Sequence, residues 1–163
     1  SPTHPPSSDA ADRTASVVVA APPEVVWDTL SDVTRMGEWS PETFRCRWLG
    51  GERGPVVGAR FVGFNKRGWA RWLTTNVVVE AERGRAFAFR TRENGAQWSF
   101  RLEPEGDGTR LTESRRLTKG KTRFTKLLSV FIGGHIRHDR ELAQGMQQTV
   151  ERIKAAAEAT GPT

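Results

Sequence analysis

RAFAFRTRENGAQWSFRLEPEGDGTRLTESRRLT, residues 85–118, decides the fold. Large apolar side chains fall on every second position: Phe87 and Phe89, then Trp98, Phe100 and Leu102, then Leu111. Between them stand Arg90, Arg92, Arg101 and Arg110. A period of two is the mark of a strand with one face toward a core and the other toward water. Two turn signals cut the stretch. Asn94-Gly95 is a pair that tight hairpins favour, and Gly106-Asp107-Gly108 is a second glycine-rich break. The reading is three strands, about 85–93, 96–103 and 109–118, joined by short turns and therefore antiparallel.

The same period extends toward the N-terminus over about 43–49, 58–65 and 69–81. Gly50-Gly51 to Gly54, Lys66-Arg67-Gly68 and Arg83-Gly84 supply the turns. Before this meander, Val17, Val18 and Val19 make a short strand. Pro22-Pro23-Glu24 then opens a helix to about Asp32, since proline suits the first helical turn and an acid suits its positive end. Met36–Trp39 reads as a second short helix, stopped by Ser40-Pro41. After the meander, about 123–160, apolar residues from Phe124 to Ala157 recur at steps of three and four. That is one long helix, with Gly133-Gly134 as the place for a bend. The expected class is α+β: a seven-stranded antiparallel sheet, two short helices after the first strand, and one long C-terminal helix. A sheet with an apolar face and a helix with an apolar stripe cover one another.

Residues 1–14 are rich in Pro and Ser, with little to bury, and read as a disordered arm before one domain over 15–160. The chain of 163 residues holds six Trp and eight Phe, enough aromatic surface for one core. No run approaches the ~20 apolar residues of a membrane-spanning helix. The opening residues lack the apolar stretch of a secretory leader, and a soluble cytoplasmic domain is expected. A single cysteine, Cys46, excludes an internal disulfide and a cysteine-based zinc site. The net charge is +6, and six cations without an acid lie in one segment: Arg115, Arg116, Lys119, Lys121, Arg123 and Lys126. Such a cluster attracts phosphates, acidic protein helices or anionic lipid, and is equally the makeup of a solvated loop.

The order of elements resembles the START-like, or SRPBCC, superfamily with its helix-grip fold, and within it the polyketide cyclase/dehydrase family. The residues carrying the resemblance are VVVAAPPEVVWDTLSDVTRMGEWSP (17–41), GFNKRG (63–68), WSFRLEP (98–104), GTRLTES (108–114) and VERIKAAAEA (150–159). The resemblance implies a sheet curved around the long helix with a cavity between them. It implies no single chemistry, because the superfamily spans lipid carriers, hormone receptors, aromatase/cyclases and macromolecular adaptors.

Strand phase then selects the cavity wall. Phe44, Cys46 and Trp48 share one face of their strand, opposite Arg45 and Arg47. Arg60 and Arg71 face out, which turns Phe61, Gly63 and Asn65, and then Trp72, Thr74, Asn76 and Val78, inward. Phe87, Phe89 and Thr91 oppose Arg90 and Arg92, and Trp98 and Phe100 oppose Arg101. Leu111, Glu113, Arg115 and Leu117 share a face, and Phe131 and His135 lie on the apolar stripe of the helix. The expected ligand cavity is Phe61, Asn65, Trp72, Thr74, Asn76, Phe89, Trp98, Phe100, Glu113, Phe131 and His135. An aromatic interior with few polar groups suits an apolar molecule bearing one or two oxygens. The polar groups must bond each other, water or a ligand. For Asn65 the alternative is to hold the hairpin, for Glu113 to pair with a base such as Arg115, and for His135 to be a core histidine.

Other chemistry fails on spacing. Gly120-Lys121-Thr122 lacks the glycine a phosphate-binding loop needs, since Arg115 stands at that position. His135, His138 and Asp139 have no further convergent ligand, so neither a metal nor another cofactor is expected. The first functional expectation is a binding protein for a hydrophobic small molecule, lipid or polyketide-like, with the basic segment 115–126 meeting an anionic membrane surface or a donor protein. The alternative is a metal-free cyclase or aromatase acting on a poly-ketone chain held by an acyl carrier protein. There Glu113 or His135 would move protons and Asn65 or Asn76 would polarise a carbonyl. A third reading is an adaptor binding RNA or a protein complex through segment 115–126. The inward phase of the aromatics argues against nucleic acid.

Overall fold

The computed structural model describes residues 13–117 and 135–160, with side chains of the last segment from Leu142 onward. The expected helix start at 123–134, including the Gly133-Gly134 bend, lies outside the described residues, as do Lys119, Lys121, Arg123, Lys126 and Phe131. Of His135 only the backbone is described.

Seven strands form one antiparallel sheet in the order β1-β7-β6-β5-β4-β3-β2. They are β1 (Arg13–Val19), β2 (Thr43–Leu49), β3 (Arg60–Arg67), β4 (Ala70–Glu82), β5 (Ala86–Thr91), β6 (Ala96–Glu105) and β7 (Gly108–Leu117). Strands β2 to β7 follow one another as a meander, and β1 closes the far edge on β7. Strand β1 begins at Arg13, opposite Arg115, so its first two residues belong to the stretch expected to be an arm. Helix α1 (Pro23–Leu30) starts on the expected prolines with Glu24 in its first turn. The second short helix is a 3₁₀ segment, Val33–Glu38, three residues earlier than expected. The Asp32 carboxylate caps it by accepting from the Thr34 N–H at 3.2 Å.

The long helix α2 (His135–Ala159) lies on the apolar face of the sheet. Its last turns place Val150, Ile153 and Ala157 in a dry core with Val19, Val26, Leu30 and Leu111. Trp27 belongs to this half, with its indole N–H donating to the Ala86 carbonyl at 2.8 Å and its ring edge-on to Phe87. Glu158 fixes the end of α2 by accepting from the Ala20 N–H at 2.8 Å and pairing with Lys154. At the other end of the sheet the packing opens, and the earlier turns of α2 roof a hollow.

Two β-bulges shift the strand phase. Pairing of β2 with β3 skips Phe44, so Thr43 and Cys46 face the interior while Phe44 packs on Phe64 at the outer face. Phe44 is therefore not an inward residue, and its expected phase is corrected: the extra residue of a bulge inverts the alternation. A second bulge at Val79 lies between Val78 and Glu80. It explains three consecutive valines in a strand whose inward face otherwise reads Asn76, Val78, Ala81.

Candidate functional site

The hollow has a volume of about 950 Å³. Its floor is the concave face of β2 to β7, one wall comes from the 3₁₀ segment and the loop after it, and Leu142, Gly145, Met146 and Thr149 of α2 form the roof. All nine expected cavity residues with described side chains line it: Phe61, Asn65, Trp72, Thr74, Asn76, Phe89, Trp98, Phe100 and Glu113.

The aromatic part is a continuous stack of edges and faces. Phe61 stands edge-on to Trp48 at 5.6 Å and to Phe89 at 5.1 Å. Edge-on pairs of this kind add about 0.5–1.5 kcal/mol beyond the burial of their area. Trp72 is 38% exposed and marks the rim, together with Lys66, Arg67 and Arg71.

The polar groups divide into two kinds. Asn65 and Asn76 are occupied by the protein itself. Asn65 Oδ1 accepts from the Thr43 hydroxyl at 2.6 Å, and its amide N–H groups reach Thr74 Oγ1 at 3.1 Å and the Gly63 carbonyl at 3.3 Å. Asn76 Oδ1 accepts from the Thr91 hydroxyl at 2.7 Å, and its amide nitrogen lies 3.4 Å from the carbonyls of Phe61 and Thr74. These two amides satisfy one another's strands, so neither is poised to polarise a ligand carbonyl as the sequence suggested.

Glu113 is different. It is 2% exposed, and its Oε1 has no hydrogen-bond partner among the described residues. Its neighbours across the ladder are Ala15 on β1 and Phe100 on β6. Loss of water beside these apolar groups disfavours the charged form and pushes the carboxyl up to about 8. Burial thereby favours the neutral form of the acid, which is a donor and an acceptor at once.

Arg115, two residues on, shares the Glu113 face and lines the cavity with its guanidinium 5.6 Å over the Trp98 ring. Arg116 points to the other side of the sheet. The two therefore do not join one outward basic patch, a consequence of the strand period that the charge count alone concealed. Thr43 and Thr91 were absent from the expected cavity set. Thr91 follows the phase of Phe89 and was legible, whereas the bulge at Phe44 hid Thr43. Cys46 is buried, its thiol is pushed up to about 12 by loss of water, and it lies 3.7 Å from Met36 Sδ, as a packing residue. Among the described residues no group of His, Cys, Asp and Glu has the arrangement of a metal site, and no helix is long and apolar enough to cross a membrane.

Comparison with known proteins agrees with this architecture. The family described as "Polyketide cyclase / dehydrase and lipid transport" matches residues 10–158. The solution structure of the Polyketide_cyc-like protein Cgl2372 from Corynebacterium glutamicum is 33% identical, with 91% of each chain covered and a TM-score of 0.65. TTHA0849 from Thermus thermophilus shares the fold at 16% identity and a TM-score of 0.66, covering 93% of this chain and 99% of its own. The di-domain ARO/CYC StfQ of the steffimycin biosynthetic pathway shares it at 17% identity and a TM-score of 0.66, over 91% of this chain and 51% of its own. No curated protein matches the chain. A helix-roofed antiparallel sheet, the hollow between them and a match over nearly the whole sequence together make this chain a member of the polyketide cyclase/dehydrase and lipid transport family.

Proposed function

We propose that the chain binds a hydrophobic small molecule, lipid or polyketide-like, in the hollow between the sheet and α2. The carrying observation is a buried carboxyl, Glu113, with an oxygen lacking a partner among the described residues, in the wall of an aromatic cavity of about 950 Å³. A volume near the upper end of the usual ligand-site range accommodates a molecule well beyond a single ring. A lone buried polar oxygen costs ~1–3 kcal/mol when unsatisfied, which a ligand hydroxyl or carbonyl would offset. The occupied state of Asn65 and Asn76 supports a ligand with one main polar contact, at Glu113. Native mass spectrometry of gently purified protein tests the reading. A retained apolar molecule that is lost from Glu113→Leu supports it, and wild type that neither retains nor takes up apolar molecules overturns it.

One observation favours a second reading, a cyclase acting on a poly-ketone chain delivered by an acyl carrier protein. A carboxyl held at about 8 exchanges its proton near neutrality, as a general acid or base requires. Ring closure by aldol addition needs a proton removed from carbon and one delivered to oxygen, and Glu113 would serve one of these. Turnover of a carrier-bound poly-ketone that survives both Glu113→Gln and His135→Ala would rule out these roles.

A further inference from the structure

The hairpin joining β3 and β4 ends in a two-residue turn, Gly68-Trp69, between paired Arg67 and Ala70. Gly68 has φ +60°, the conformation that glycine supplies at the first position of such a turn. The turn leaves Trp69 at the apex with no wall to fold against among the described residues, and it is 94% exposed. Trp69 shares this hairpin with exposed Trp72 and Leu73, and an apolar patch rimmed by polar groups marks a surface for contact. Every residue from Lys66 to Leu73 is exposed. The segment KRGWARWL contains Lys66, Arg67 and Arg71 and no acid. Arg71 also braces the turn by donating to the Gly68 and Ala70 carbonyls at 2.9 Å. Beside the tip, on the outer face, lie Leu73 at 58% and Phe44 at 44% exposure, with Lys66 Nζ 5.3 Å over the Phe44 ring. On the other side, Lys66, Arg67, Arg71 and Trp72 form the rim of the cavity.

We propose that this hairpin tip, Lys66–Leu73, docks the protein on an anionic lipid bilayer, with Trp69 entering the headgroup layer and the cations meeting lipid phosphates. Charge complementarity and the indole's affinity for the membrane–water boundary select this occupant. A second copy seated on the same tip would bring three cations against three. A nucleic acid would need a groove with stacking walls, and Trp69 stands alone at an apex. Exposed Leu73 and Phe44 offer carbon surface with no group to read a base. The tip is a different stretch of sequence from segment 115–126, and it would set the cavity rim against the layer from which an apolar ligand comes. It goes beyond the cavity reading and relies on that reading only for this last consequence.

The test is co-sedimentation with phosphatidylserine–phosphatidylcholine vesicles, compared with phosphatidylcholine alone. Wild type binds the mixed vesicles, and binding weakens with added salt. Trp69→Ala weakens it about tenfold, and Lys66→Glu with Arg67→Glu weakens it further, at about fivefold or more per charge removed. Brominated acyl chains quench the wild type more than Trp69→Phe. Circular dichroism and a denaturation midpoint check that each variant folds, which the exposure of Trp69 leads one to expect. Absence of vesicle binding overturns the proposal. So does binding that survives Trp69→Ala but disappears when Lys119, Lys121, Arg123 and Lys126 are changed to alanine. A Trp69-dependent dimer in solution without vesicle binding also overturns it, in favour of a second copy. Native mass spectrometry on the same samples separates the two ideas: ligand kept without vesicle binding removes only the docking surface, and vesicle binding without any ligand removes only the cavity reading.

Discussion

Thr91 and Asn76 sit directly opposite one another on β5 and β4, and the Thr91 hydroxyl donates to Asn76 Oδ1 at 2.7 Å inside the core. Both side chains are buried. The bond fixes which end of the amide carries oxygen and presents the nitrogen to the Phe61 and Thr74 carbonyls. A polar pair in an otherwise aromatic wall is thereby neutral toward the hollow, and Glu113 stands apart from it with an oxygen that has no partner among the described residues.

Thr91→Val removes the donor and leaves Asn76 Oδ1 buried without one. A loss of ~1–3 kcal/mol in unfolding free energy is expected, read by urea denaturation. Adding Asn76→Leu removes the stranded acceptor and returns part of that loss. A double variant that loses as much as the two single changes added together would mean that the pair is not coupled.

Burial of Glu113 ties stability to pH. Its folded value, about 8, lies above the ordinary 4.5, so the folded chain holds a proton that the unfolded chain releases. Stability from this group is complete below about pH 4.5 and declines as pH rises to about 8, at roughly 1.4 kcal/mol per pH unit. Above that the contribution is gone. Denaturation midpoints of the wild type should fall from pH 5 to 8 relative to Glu113→Gln, whose amide does not ionise. Parallel curves for the two proteins across that window would mean that Glu113 is solvated.

The sequence made the seven strands legible because their inward and outward residues differ sharply: arginines alternate with aromatics from Phe87 to Arg110, and glycines stand at the turns. The cavity wall followed from the same alternation, which is why Phe61, Phe89, Trp98 and Glu113 could be named together. What was not legible depends on single inserted residues. The bulge at Phe44 turned that ring outward and Thr43 inward, and no composition rule announces where an extra residue enters a ladder. The state of Asn65 and Asn76 was equally hidden, since satisfaction depends on cross-strand register rather than residue type. Arg115 was legible in two ways: the charge count joined it to segment 115–126, and strand phase set it beside Glu113, where its guanidinium lies over Trp98.

Gly63 is the point where the cavity floor and the Asn65 network meet. A Cβ there would stand 2.8 Å from Thr74 Oγ1, the acceptor of the Asn65 amide. Gly63→Ala forces the Thr74 hydroxyl away and breaks that bond, at a cost of ~1–3 kcal/mol. Thr74→Ala in the same chain removes the clash and should recover stability relative to Gly63→Ala alone. Equal stability of the single and double variants would show that the strain does not arise at Thr74.

Cys46 reports on the hollow without disturbing it. Its thiol lines the cavity, is buried, and is held up to about 12 by loss of water, so little thiolate exists at pH 8. A disulfide reagent therefore meets a group that is both enclosed and protonated. Labelling of the native protein should run orders of magnitude slower than that of free cysteine and become complete in denaturant. An apolar molecule in the hollow would close the route further, so bound ligand should slow labelling again in proportion to occupancy. Glu113→Leu, which would remove the proposed polar contact for such a molecule, should abolish the ligand's protection while leaving the slow rate of the empty protein. A native thiol that reacts at the rate of free cysteine would contradict the burial of Cys46. A rate indifferent to a ligand seen by mass spectrometry would place that ligand outside this cavity.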